Sequence, residues 1–219
     1  MHLCDSLFPI GGFAYSDGLE AAASAGLVVT GDGLREWLDV CLEETIGRAE
    51  GPALLGAWTA FQERRWEMLA TLDEDLTALR PSSAARRSSR AMGLRLLTTW
   101  HALHPDARLA DALTLVRNGA RGLALPLAFA GASVTAGVDR RASAEAFAYT
   151  RLAATVSAAM RLMPVGQLEA HSLLARVLDR VPETLDAMIR RGGTVESFSP
   201  AVDIALMTQQ YLHSRLFRS

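Results

Sequence analysis

Between residues 32 and 51 the apolar side chains fall at three- and four-residue steps: Leu34, Trp37, Leu38, Cys41, Leu42 and Ile46. That spacing gathers them on one stripe of an α-helix and predicts a helix here, with Asp32 as its cap. The helical period continues over 52–79 through Leu54, Leu55, Trp58, Phe61, Met68, Leu69, Leu72, Leu76 and Leu79. Pro52 suits a first helical turn, where a missing N–H costs nothing. Residues 71–75 are expected to interrupt this stretch. Arg80-Pro81-Ser82 supplies a breaker and a serine cap for a helix that runs to His104, where Pro105 closes it. Shorter helical patterns follow at about 109–118, 142–163 and 165–178, from Val181-Pro182 to Gly192-Gly193, and from Ser199-Pro200 onward. The last carries Ile204, Leu206, Met207 and Tyr211 as apolar positions.

The first residues read differently. Pro9, Gly11 and Gly12 punctuate an apolar stretch, so 1–16 is expected to be a loop. Ser16 or Asp17 then caps a short helix with Glu20 in its first turn and Gly26 at its end, and 27–29 reads as a brief extended piece. No alternation of period two is sustained, and no repeat of fixed length appears. The pattern predicts an all-α fold: a single-domain bundle of roughly eight to ten helices spanning the whole chain, with a docking C-terminal tail. Residues 122–138 carry no charge, but this run falls short of the roughly 20 residues a membrane span requires. Its alanines and glycines predict a tightly packed buried helix instead.

Composition adds limits. Hydrophobic residues make up 50% of the chain and charged ones 21%, which fits a folded protein. With 22 basic and 24 acidic side chains the net charge is −2, which argues against a nucleic-acid binder. Cys4 and Cys41 match neither a disulfide framework nor a compact zinc spacing, and are expected to be buried or incidental thiols. The opening lacks a basic segment followed by a long apolar one, so a cytoplasmic setting is expected.

Chemistry-bearing motifs are sparse. The chain has no phosphate loop, no dinucleotide fingerprint, no nucleophile elbow and no H-E-x-x-H. His101 and His104, three apart on one helix, are weak metal candidates against the plainer reading of a wet helix end. His171 is expected in a hydrogen bond. Arg86, Arg87, Arg90 and Arg95, with Arg80 nearby, offer a possible charged contact face or simply a solvated one. Asp73, Glu74 and Asp75 are expected to face water. The tryptophans fit core packing, with one or two available to anchor an interface. Leu216 and Phe217 are unusual so close to a terminus and make sense if the tail docks, on its own core or on another protein.

The segment from Ser6 through Phe8, Pro9, Gly11, Gly12, Phe13 and Tyr15 to Ser16, then Gly18-Leu19-Glu20, closely resembles the opening signature of the urease accessory protein UreF family. Arg90-Ala91-Met92-Gly93, Arg161-Leu162-Met163-Pro164-Val165-Gly166-Gln167, Phe198-Ser199-Pro200 and the closing Ser214-Arg215-Leu216-Phe217-Arg218-Ser219 resemble later stretches of it. The resemblance implies a non-catalytic, dimeric, all-helical scaffold. It would assemble with a UreD/UreH-type protein and a UreG-type nickel-binding GTPase on apo-urease. It would hold no firmly bound cofactor, with nickel and GTP handled by its partners. It also implies that 199–219 form the contact with the UreD/UreH-type protein, through Ser199, Pro200, Tyr211, Arg215, Leu216, Phe217 and Arg218. In that reading Leu216 and Phe217 are buried anchors, and residues 8–15 form a shaped loop near a dimer or partner surface. Relatives often carry a His-Glu pair where this chain has Gln209-Gln210. Two other classes compete. One is a helical enzyme or small-molecule binder with Arg161, Glu169 or His171 between Gly/Ala-rich helices. The other is a DNA-binding regulator using 86–95.

Overall fold

The computed structural model describes residues 2–5, 7–118 and 122–217, and among these every regular element is helical. Helix α1 spans Leu19–Ser24, α2 Gly31–Val40, α3 Gly51–Glu63, α4 Trp66–Ala78 and α5 Ser83–Leu103. Then come α6 (Ala107–Asn118), α7 (Leu125–Thr135), α8 (Arg140–Leu162), α9 (Gln167–Leu178), α10 (Val181–Arg190) and α11 (Pro200–Thr208). Short 3₁₀ turns occupy His2–Cys4, Gly12–Ala14 and Gln209–Tyr211. No helix among the described residues is long and apolar enough to cross a membrane.

Helix α7 is the hub, packed against α3 and α5, with α6 and α8 beside it. Every residue from Leu125 to Val134 is buried, as the uncharged run predicts. Small side chains allow this crowding. A Cβ on Gly131 would stand 2.6 Å from the Phe61 ring, and one on Gly93 of α5 would collide with the Leu123 carbonyl oxygen. Asp73, expected to face water, is instead buried. Its Oδ1 accepts from the Ala124 N–H at 2.7 Å and its Oδ2 from Arg90 Nη2 at 2.8 Å. One carboxylate therefore fixes the entry to α7, because a buried acid persists only when its lone pairs are met.

Several boundaries differ from expectation. Thr30, not Asp32, caps α2, its hydroxyl accepting from Gly33 N–H at 3.1 Å. Residues 27–29 bend without forming a strand. The interruption expected at 71–75 lies at Arg64, whose φ of 56° is left-handed, and α4 runs through 71–75 unbroken. Ser82 caps α5 as the sequence suggests.

Pro52 does not begin a separate helix. Residues Cys41–Glu50 wind as a π-helix that joins α2 to α3 in one rod. In an α-helix a proline lacks its N–H and its ring crowds the carbonyl four residues back. Here the turn is wider, with Gly51 N–H reaching Ile46 O five residues back. The carbonyls near the proline are met from outside the rod. Arg191 Nη2 donates to Gly47 O at 2.7 Å, and Glu196 N–H donates to Arg48 O at 2.9 Å.

The α5–α7 crossing makes a direct prediction. Gly93→Ala forces the two backbones apart and is expected to lower stability by about 1–3 kcal/mol, the usual range for overpacking. Denaturant unfolding checks it, and an unchanged midpoint would show that the crossing has slack.

Candidate functional site

The two ends of the chain meet against the helical body. Residues 7–20 form a turn-rich segment with three left-handed residues, Gly11 (φ 75°), Asp17 (φ 49°) and Gly18 (φ 88°). Phe8 is buried with its ring 6.0 Å from Trp100, whereas Leu7, Pro9 and Phe13 are exposed. Gly12 opens the short 3₁₀ turn, and Tyr15 is half-buried just after it. Arg95 Nη1 donates to Ile10 O at 3.0 Å, and Arg161 Nη1 to Phe13 O at 3.1 Å, so two arginines hold the loop to α5 and α8.

The next five residues grip the C-terminal segment. The Ser16 hydroxyl lies 3.0 Å from Gln209 Nε2, deep in the interior. Gly18 packs so closely on α11 that an added Cβ would stand 3.2 Å from the Leu206 backbone nitrogen. Glu20 is buried, and its carboxylate accepts from Gln209 Nε2 at 3.1 Å and from the Leu216 and Phe217 backbone N–H groups. Phe217 is buried with the Arg161 guanidinium 4.5 Å over its ring. The tail thus docks on its own core through Phe217, one of the two placements that the sequence left open for Leu216 and Phe217. Leu216 remains half-exposed. Gln209 is wholly buried as part of this clasp.

Asp17 turns toward a buried ion network. Arg151 Nη1 donates to Asp17 Oδ2 at 2.7 Å, and its Nε to Glu50 Oε2 at 3.1 Å. Arg80 also bonds Glu50. Burial works against the Arg151 charge, but Asp17 and Glu50 outweigh it and hold the guanidinium above its ordinary pKa. Burial pushes the neighbouring Cys41 thiol up to about 12, with Arg151 opposing, so this thiol is no nucleophile at neutral pH. Asp203 of α11 lines a cavity together with Asp17, Cys41, Glu50, Arg80 and Arg151, its carboxyl raised by burial against the pull of Arg80. Of this network the sequence marked only Arg80, and that as part of a basic cluster; Glu50, four residues beyond Ile46 on a stripe of buried positions, was a second legible signal.

The outward face of the C-terminal segment is apolar. Phe198 is 81% exposed, Ile204 60%, Met207 45% and Tyr211 80%. Ser199, proposed for a partner, is buried at the start of α11, while Pro200 beside it is exposed. Arg218 lies outside the described residues.

The arginines of α5 do not form one contact face. Arg90 is drawn inward to Asp73 and Thr77, Arg86 bonds the Arg80 and Pro81 carbonyls, and Arg95 holds Ile10. Arg87 is exposed without such a partner among the described residues. That division also removes the basic recognition helix a DNA-binding regulator would need. His101 Nδ1 accepts from Asp106 N–H at 3.4 Å, and His104 stacks 4.2 Å from Trp100. Among the described residues no group of three or more His, Cys, Asp or Glu is placed to hold a metal ion. His171 and Glu169 are exposed on α9, apart from Arg161. Arg161 borders an apolar cavity of about 230 Å³ that Phe8, Phe129, Phe147 and Phe217 also line.

A sequence model of the UreF family matches residues 28–178, well over half of the chain. The match covers the body from the end of α1 through α9 and stops short of both segments that form the clasp.

Glu20→Ala removes the acceptor for two backbone donors of the tail. Hydrogen bonds to charged groups contribute about 1.5–3 kcal/mol each, so amide exchange at Leu216 and Phe217 is expected to accelerate at least about tenfold. Exchange mass spectrometry on the folded variant measures this, and unchanged protection would show that Phe217 packing alone holds the tail.

Proposed function

This chain belongs to the UreF family and so has an accessory role in urease maturation, within which we propose that it acts as a non-catalytic scaffold that docks partners on its C-terminal face. The partners in this reading are a UreD/UreH-type accessory protein on α11, a UreG-type GTPase and apo-urease. Nickel and GTP are handled by those partners, and the scaffold works in the cytoplasm as a homodimer. One observation carries the proposal: a contiguous stretch of chain, 198–211, presents four large apolar side chains to solvent while its inner side is locked to the body. Exposed apolar patches of this kind mark interaction sites.

The clasp supports the same reading. A docking surface gains affinity when it is rigid before the partner arrives. Here Ser16, Gly18 and Glu20 fix the inner side of that surface. A second reading, a small-molecule binder, is favoured by the apolar cavity beside Arg161. It predicts a thermal shift with an apolar ligand and no dependence on the α11 face.

Size-exclusion chromatography with light scattering tests the proposal, with the protein run alone and with a UreD/UreH-type partner. Co-elution at fixed stoichiometry is expected, lost or reduced at least about tenfold in affinity for Ile204→Asp combined with Tyr211→Ala. A folded partner that never co-elutes with the unsubstituted chain would overturn the assignment. A mass near 23.6 kDa for the protein alone would remove the homodimer.

A further inference from the structure

Most arginines of this chain are engaged internally, and the exceptions are informative. Among the described residues, Arg117, Arg176, Arg190, Arg87 and Arg215 are exposed and take part in no hydrogen bond or ion pair, and of these Arg87 and Arg215 lie together. They come from distant parts of the sequence, the second turn of α5 and the docked tail, yet line one groove of about 280 Å³. Tyr15, Ser88 and Gln210 also line it, and no acidic residue does. The groove therefore holds uncompensated positive charge on a protein whose net charge is −2.

The remaining lining groups match a carboxylate. Arginine presents parallel N–H donors that a carboxylate meets in bidentate fashion, and the Tyr15 hydroxyl adds a donor. Ser88 directs its own hydroxyl proton to Ala85 O at 3.0 Å, and Gln210 Nε2 donates to Met207 O at 3.1 Å. Both are held in place by those bonds. Gln210 lines the groove and directly precedes the exposed Tyr211, so the groove borders the exposed apolar stretch 198–211. An apolar centre with an arginine-bearing polar rim is the usual anatomy of a protein interface. Two cations without a continuous basic track do not suit a nucleic acid, whose affinity scales with the number of phosphates neutralised.

We propose that the Arg87–Arg215 groove receives an acidic segment of the protein that docks on α11, reading its carboxylates at the rim of that interface. The inference rests on the docking role of α11 and adds the charge its partner must carry. Charged rims act mainly on association rate and its salt dependence. The groove thus steers the acidic partner while the apolar face supplies the contact that follows.

Association kinetics of the full chain with the UreD/UreH-type partner, measured across a range of salt concentrations, test this. Arg87→Glu is expected to slow association at low salt at least about tenfold and to flatten its salt dependence. Arg87→Lys should retain most of the rate. Arg87 makes no hydrogen bond or ion pair among the described residues, so its variants should unfold at close to the parent's temperature. Kinetics and salt dependence unchanged in Arg87→Glu, with Ile204→Asp still disrupting the complex, would overturn the groove assignment and leave the α11 reading standing. Absence of any complex with the parent chain would overturn both. Saturable binding of inorganic phosphate that Arg87→Glu abolishes, with partner association unaffected, would also overturn it and reassign the groove to a phosphate-bearing ligand.

Discussion

A guanidinium with 16% of its side chain exposed lies between two carboxylates, one from the opening segment and one from the π-helix. Desolvation opposes such a charge, and removing one partner of a buried pair commonly costs about 3–5 kcal/mol, because the other charge is left uncompensated. Arg151 therefore constrains both neighbours at once. It holds Asp17 in a left-handed conformation that a non-glycine residue seldom adopts. It also fixes Glu50, which in turn receives Arg80 from the linker ahead of α5. Four segments far apart in sequence meet at one charge cluster, and α11 closes over the cavity beside it.

The order of the opening segment follows from that constraint. With Asp17 fixed, Gly18 can pass close to α11, and Leu19 and Glu20 begin a short helix turned inward. A six-residue helix has little stability of its own, since nucleation outweighs the few bonds it makes. Its carboxylate is nonetheless buried, because Gln209 and two tail amides meet its oxygens. Each end of the chain supplies what the other lacks: the opening segment brings acceptors, and the tail brings backbone donors and an aromatic ring.

Much of the body was legible because burial there follows one period. The stripe from Leu34 to Ile46, the serine cap at Ser82 and the uncharged 122–138 run all appear as their patterns predict. The misses have physical causes. A π-helix has no distinct hydrophobic signature, so Pro52 read as a start when it sits within a rod whose nearby carbonyls are met by Arg191 and Glu196. Asp73 read as solvated because its neighbours Glu74 and Asp75 are exposed, and only the fold shows Arg90 and the Ala124 N–H beside it. For the site, the family resemblance marked both ends of the chain. It could not show that they bind each other, since a contact between residues 20 and 217 leaves no local pattern. It pointed to a partner for Phe217, whose ring is buried on this chain under Arg161 and whose apolar character suits a partner and the protein's own core equally well.

Internal use of Phe217 alters the energetics of docking. Fully burying a large apolar side chain contributes roughly 1.5–3 kcal/mol, and four such residues remain on the outer face of α11 and its flanks. Association itself costs an estimated 4–15 kcal/mol in lost freedom, so four partly exposed side chains alone give a weak complex. Two features make up the difference. In the docking we propose, the clasp orders the face in advance, which lowers the cost of binding, and the uncompensated arginines at its rim raise the rate of productive encounter. In the proposed scaffold, a buried charge holds one surface in shape and an unpaired charge at its rim selects what lands on it.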